Sequence, residues 1–212
     1  NAKKAESPDL LHPNAVGYKM WEKTLRPVLE LMDLVEVPVD NFKCEEGYEL
    51  LFNGKDLSGW GYRNKKTLTK IENFDGMATS SEGRYHAKHG RLVVTTPPEG
   101  RSFTQLWTVE ELDRDFTLKL EFRANANADS GVFIRRPQLQ CRDYLVAGPY
   151  KDLKNYKPGD WNEIIVVVKG RIARCTCNGE VLEEDFKLPK GGPIGLEGDR
   201  GQMEYRRIRL KR

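Results

Sequence analysis

The chain has 212 residues, with 35 lysines and arginines against 32 aspartates and glutamates and a formal net charge of +3. That length suits one large β-domain, or one domain plus a fragment. Balanced charge without a dense basic block argues against a nucleic-acid partner, since the basic YRRIRLKR near the end alternates as a strand does. No apolar run approaches the roughly 18 residues of a membrane span. No signal peptide is read, and a chain opening on Asn1 is expected to be a piece of a longer product.

The first 35 residues differ from the rest. SPDLLHPNAVGY (7–18) leads into a helix expected from about Gly17 to Asp33, with Trp21, Leu25, Val28, Leu29 and Met32 at helical spacing. The D-x-x-H-P-N motif, followed by Gly17-Tyr18 and this amphipathic helix, resembles the C-terminal end of an SGNH (GDSL-type) esterase domain. In that family the Asp holds the imidazole tautomer and the His takes the serine proton. The resemblance puts these roles on Asp9 and His12. No G-D-S precedes them, and Asp129-Ser130-Gly131 falls between two strands of a different unit. Asp9 and His12 are therefore expected to be catalytically orphaned, the remnant of an upstream SGNH domain in the full-length product. Residues 36–43, with Pro38, read as a linker, and a second unit opens at about Cys44.

From Gly47 onward the reading is all β. GYELLFNGKDLSGW gives a short apolar strand, an Asn53-Gly54 turn, then Leu57 and Trp60. Residues 64–83 are polar and irregular, a surface loop by expectation. Residues 85–95 read as a hairpin turning at His89-Gly90, 104–107 as a short strand and 110–114 as a polar connection. Phe116, Leu118, Leu120 and Phe122 alternate with polar residues, which marks a strand with one buried face. A small polar loop, 124–130, leads to a strand at 131–136 that ends in paired arginines. QLQCRDYLVAGPY (138–150) is a polar strand or loop, and 152–160 a loop. WNEIIVVVK (161–169) is β-branched; Gly170 turns it into 172–177, and Asn178-Gly179 forms a tight hairpin. Gly191-Gly192-Pro193 precedes the last strands, 194–197 and 203–210. Many short strands without intervening helices predict an all-β unit over 44–212, an antiparallel β-sandwich of concanavalin or jelly-roll type, after a short N-terminal helical segment over 1–35. Cys175 and Cys177 are too close along a strand for zinc. With Cys44 and Cys141 they read as small buried residues, and a disulfide from Cys141 to Cys175 or Cys177 stays open.

A second resemblance runs along nearly all of 47–212. Its segments are LFNGKDLSGW (51–60), GRLVV (90–94), DFTLKLEFR (115–123), DSGVFIRR (129–136), GDWNEIIVVVKG (159–170), the Asn-Gly hairpin at 178–179 and GPIGLEGDRGQMEYRRIRLK (192–211). In order and spacing they resemble the 3-keto-disaccharide hydrolase family of concanavalin-like jelly rolls. The resemblance implies a carbohydrate partner, cleavage of glycosides oxidised at C3, and a secreted or periplasmic setting. A 3-keto group acidifies the C2 hydrogen, so a carboxylate base removes it, the aglycone leaves from C1, and water adds back. Such a site needs a base, a positive group at the enolate oxygen and an acid for the leaving oxygen. A divalent cation would fill the second role, although no dense carboxylate or histidine cluster names its ligands. The Tyr-Glu-Val-Gln-like strand of the family is replaced by QLQCRDYLVAGPY. The glutamate is missing, and Gln140, Asp143 and Tyr144 take similar space.

Glu121 and Asp143 are the expected bases, with Arg123 or Arg135 as electrostatic partner. Glu121 and Arg123 share the face opposite Leu118 and Leu120, where the plainer reading is a cross-strand ion pair. Arg135 and Arg136 point to opposite faces, so one of them reaches a ligand or both form surface pairs. Gln138 and Gln140 share a face, as a sugar site or a polar edge strand requires. Tyr144 and Trp161 are expected to stack on the sugar, as alternatives to core roles, with Trp107 and Tyr150 as further platforms. Glu197 and Asp199 lie in GLEGDRG, whose glycines let backbone approach a ligand or merely shape a turn. His86 and His89 read as surface residues of a hairpin. The competing function is a non-catalytic carbohydrate-binding module appended to an SGNH esterase, and a structural or protein-binding sandwich is a third.

Overall fold

The structure, a computed structural model, describes residues 12–95, 105–146, 148 and 150–212. The chain divides into two compact units, Asn1–Pro38 and Val39–Arg212. Asp9 lies outside the described residues. Among its described residues the first unit holds one helix, α1 (Ala15–Leu31). It begins earlier than Gly17 because Asn14 caps it, its side chain accepting from the amides of Val16 and Gly17 at 3.0 Å each. Among the described residues no helix is long and apolar enough to cross a membrane.

The second unit is built of strands β1 (Glu49–Leu50), β2 (Trp60–Arg63), β3 (Lys70–Asn73), β4 (Tyr85–Lys88), β5 (Arg91–Val94), β6 (Leu106–Thr108) and β7 (Phe116–Ala124). These are followed by β8 (Gly131–Ile134), β9 (Gln138–Gln140), β10 (Asn162–Lys169), β11 (Ile172–Cys177), β12 (Glu180–Lys187), β13 (Ile194–Leu196) and β14 (Met203–Lys211). They form two antiparallel sheets. The larger runs β12-β11-β10-β7-β14-β5-β4, with β1 also on β14; the smaller runs β3-β2-β6-β13-β8-β9. β3 falls within the stretch expected to be a loop. Its KIEN is polar and mostly exposed, so it carries no apolar alternation, and pairing with β2 alone makes it a strand.

Phe116, Leu118, Leu120 and Phe122 face the core, none more than 4% exposed. Ile164, Val166 and Val168 of β10 lie beside them in register and are equally buried. From the smaller sheet the core receives Trp60, Leu106, Val132, Ile134, Ile194 and Leu196. The expected tight hairpins form at His89-Gly90 and Asn178-Gly179, where both residues of each pair have positive φ, as two-residue turns matched to strand twist demand. All four cysteines are free thiols.

Candidate functional site

Period two places a strand's polar residues on one face, but each sheet of a sandwich has its own outer face. The expected site residues fall on different ones. Glu121 and Arg123 do share a face, the outer face of the larger sheet, where both are held by ion pairs. Arg123 donates to both carboxylate oxygens of buried Glu204, at 3.0 and 2.8 Å. Glu121 is gripped by Arg206 at 2.7 Å and Arg207 at 2.8 Å. A bulge in β14 makes that double grip: the register shifts between Arg206 and Arg209, and Arg207 takes φ +51°. Trp161 lies over the same face, with the guanidinium carbons of Arg206, Arg123 and Arg91 at 4.0, 5.1 and 5.8 Å from its ring centroid. Asp40, expected in a linker, pairs with Arg207 at 2.8 Å, so this residue too is tied to β14.

Arg135 is 1% exposed and reaches neither outer face as a free group. Its guanidinium donates to the carbonyls of Leu112 (2.8 Å), Arg114 (2.6 Å), Gly170 (2.7 Å) and Pro189 (3.3 Å), which ties three connections together at one end of the sandwich. Arg136 instead donates to the carbonyl of Lys66. Asp143 is buried and accepts from the amide of Asn127 at 2.9 Å and the hydroxyl of Tyr156 at 3.3 Å. Tyr144 is buried as well, its ring edge-on to those of Phe122, Tyr150 and Tyr156 and its hydroxyl on the Gln140 carbonyl. These positions suit Arg135, Asp143 and Tyr144 to architecture.

The outer face of the smaller sheet carries a different set. In β6, β13 and β8 the residues alternating with the buried Leu106, Ile194, Leu196, Val132 and Ile134 point away from the core. Register then builds two rows. Gly195 pairs with Trp107 on one side and Phe133 on the other, and Phe133 pairs with Gln138. One residue pair along, Glu197 bonds its amide to the Gly131 carbonyl at 3.1 Å, and Gly131 pairs with Gln140. Trp107 and Phe133 have their ring centroids 5.2 Å apart. Glycine under them is a steric need, since a Cβ on Gly195 would sit 2.6 Å from the Trp107 ring, and one on Gly131 would sit 2.2 Å from the Gln138 amide nitrogen.

Glu197 is the carboxylate of this face. Gln105 donates to Oε1 at 2.6 Å and Gln138 to Oε2 at 3.1 Å. Burial pushes its carboxyl above the ordinary range; the Gln105 hydrogen bond opposes this, Asp199 and Asp129 add to it, and Arg84 pulls the other way. Farther along, Arg142 bonds Asp129 at 2.6 Å and also Gln140. Among the described residues its Nε is buried with no hydrogen-bond partner, as is the indole Nε1 of Trp107. Gln138, Gln140 and Glu197 are thus brought to one face, with Asp199 near enough to act on the Glu197 carboxyl, while Trp161, Glu121 and Arg123 lie on the other sheet. Gln105, Phe133 and Arg142 were missed in the sequence, though parity with Trp107, Gly131 and Gln140 places all three here. Among the described residues no three His, Cys, Asp or Glu side chains are grouped to hold a metal ion.

This fold has known counterparts. A protein of Parabacteroides distasonis described provisionally as a glycosyl hydrolase superposes with a TM-score of 0.59 at 19% identity, covering 81% of this chain and 98% of its own. A second from the same organism, described in the same way, gives 0.53 and 19%, covering 77% and 98%. At that identity the likeness is one of fold. No curated protein matches the chain. The family described as the 3-keto-alpha-glucoside-1,2-lyase-like domain matches residues 47–211, which take in both sheets and every residue of the Glu197 face. The chain belongs to the 3-keto-alpha-glucoside-1,2-lyase-like domain family.

Proposed function

We propose that the outer face of the smaller sheet cleaves glycosides whose sugar carries a ketone at C3, and that Glu197 is the base. The observation that carries this reading is a half-buried carboxylate held between two amide donors, Gln105 and Gln138, beside the Trp107–Phe133 pair. Glu197 removes the C2 hydrogen. The electron pair moves into an enolate whose charge rests on the C3 oxygen, the C1–O bond to the aglycone then breaks as C1=C2 forms, and the proton held by Glu197 passes to the departing oxygen, regenerating the carboxylate. Water adds its hydroxyl at C1 and a proton at C2, so the net reaction is hydrolysis. Arg142 is the cation assigned to the enolate oxygen, with its Nε–H, which has no partner among the described residues, as donor. This moves the base from Glu121 or Asp143, and the cation from Arg123 or Arg135, to residues of one face. It also answers the missing glutamate of the signature strand. Gln138 stands on that strand, and the carboxylate it hydrogen-bonds comes from the end of β13.

The test is release of aglycone from a panel of 3-keto-glucosides and their unoxidised parents. Release is expected from the keto compounds alone. Glu197→Gln should lower kcat by about 10²-fold or more, while Glu121→Gln should stay within about twofold of wild type. Because burial raises the Glu197 pKa, its ionised, basic form is lost at a higher pH than for an ordinary glutamate. The acid limb of kcat/KM should therefore fall below a midpoint above 4.5. Full activity in Glu197→Gln would overturn the assignment. Glycan binding without turnover of any keto compound would make the sandwich a carbohydrate-binding module.

A further inference from the structure

We infer that Tyr205 and Ser130 are positioning residues for Glu197, reaching it from the core side of the sheet. This inference rests on the reading of Glu197 as the reacting carboxylate. Glu197 lies just past the end of β13, where ladder pairing stops. Its amide still bonds the Gly131 carbonyl at 3.1 Å, but among the described residues no strand partner on the other side takes its carbonyl into a ladder. Its carbonyl is fixed by two buried hydroxyls. The Tyr205 hydroxyl donates to it at 2.8 Å, Ser130 Oγ donates to it as well, and the two hydroxyl oxygens stand 2.6 Å apart.

Tyr205 belongs to β14, in the opposite sheet, so its ring spans the core to hold a strand of the other layer. Tyr205 and Ser130 are both 0% exposed. Tyr85, also from the larger sheet and also buried, donates to the preceding carbonyl, that of Leu196, at 3.1 Å. Two successive carbonyls, the last of β13 and that of Glu197 just beyond it, are thus anchored from across the sandwich. Burial keeps the Tyr205 proton on at any working pH, so it stays a donor throughout. Packing alone asks for an apolar ring at such a site; a hydroxyl pair aimed at one carbonyl fixes a position. The side chain of Glu197 leaves that backbone toward the outer face, where it must meet Gln105 and Gln138 together. Loss of the anchor lets the carboxylate move toward water and away from the C2 hydrogen.

The experiment uses Tyr205→Phe and Ser130→Ala in the full chain, with ¹³C-carboxyl glutamate labelling. The Glu197 resonance is identified by its loss in Glu197→Gln. In both variants its titration midpoint should fall toward that of an ordinary glutamate. Turnover of a 3-keto-glucoside should drop about 10- to 100-fold in kcat, with KM changed less than about twofold. In the Glu197→Gln background the same substitutions should change residual turnover by less than about twofold, because the group they position is gone. Ser130→Thr, which keeps the hydroxyl, should restore the midpoint. An unmoved midpoint in both variants, or equal losses of turnover with and without Glu197, would overturn the inference. The titration decides the positioning and the wild-type keto assay decides the reaction, so failure of one is separable from failure of the other.

Discussion

Replacing Arg135 with Met separates architecture from chemistry at a residue whose sequence context, the end of DSGVFIRR, suggests either. The substitution keeps most of the stem and removes the guanidinium. Four carbonyls, those of Leu112, Arg114, Gly170 and Pro189, then lose their donor. Charged hydrogen bonds of this kind contribute about 1.5–3 kcal/mol each before the cost of desolvating the cation is counted. That cost is large at 1% exposure, so the four do not sum. Each buried carbonyl left without a donor costs about 1–3 kcal/mol, and a net loss of about 3–5 kcal/mol follows once the cation's own desolvation cost is recovered. Water from the neighbouring pocket of about 260 Å³, lined by residues including Leu112 and Arg114, solvates some of the freed carbonyls and favours the lower part of that range. For a unit of this size each kcal/mol moves Tm by about 2–4 °C, so a fall of about 6–20 °C is expected. Arg135→Lys should recover little, because one ammonium cannot copy a planar fork bonded on four sides. The assay is thermal unfolding by circular dichroism, with turnover measured well below the transition and held within about twofold of wild type. An unchanged Tm with turnover lost would refute the reasoning and return Arg135 to the reaction.

Two further outcomes follow from the charges and thiols of the same unit. The hydrogen bond from Arg209 holds Glu45 down at about 2 from an ordinary 4.5, and a depressed carboxylate stabilises the fold above its unfolded pKa. That contribution is complete above about 4.5 and is lost as pH falls toward about 2. It is under about 1 kcal/mol, since the Glu45 side chain is 41% exposed. Glu45→Gln should flatten the acid limb of stability measured by denaturant titration, and an unchanged limb counts against the pair. Burial pushes the thiols of Cys175 and Cys177 up to about 12 and that of Cys141 well above its usual value. An aromatic disulfide reagent should therefore titrate Cys44 alone in the native protein and all four cysteines after denaturation; fewer than four in the denatured, unreduced chain would mean a disulfide.

The fold was legible wherever local chemistry and burial agree. The alternation in DFTLKLEFR is the burial pattern of β7, and Asn178-Gly179 and His89-Gly90 turn where two-residue hairpins require positive φ. β3 was not legible, because KIEN has no apolar face and owes its conformation to β2. The attachment of Asp40 was not legible either. Its partner, Arg207, is far along the chain and faces it only because of a bulge in β14. Nothing local to either residue encodes that meeting.

The site was half legible, and the reason is the geometry of a sandwich. Alternation states which residues of one strand share a face. It does not state which of two outer faces that is, so Glu121 with Arg123 and Gln138 with Gln140 looked equally able to form one groove. The sheet order separates them: β7 belongs to the larger sheet, β9 to the smaller. The same blindness makes the signature strand look as if it had lost its carboxylate. Read along β9 alone, Gln138 stands where acid is wanted. Read across the sheet, Gln138 reaches past Gly131, whose missing Cβ leaves it room, to the carboxylate of Glu197. A binding face is defined by what converges on it, so under the proposed reading a carboxylate carried just past β13 stands in for one on β9. What it changes is the anchoring. A glutamate within a strand is held by its ladder on both sides, whereas Glu197 stands just past the end of one, its amide on the Gly131 carbonyl and its own carbonyl bonded from the core side by the hydroxyls of Tyr205 and Ser130.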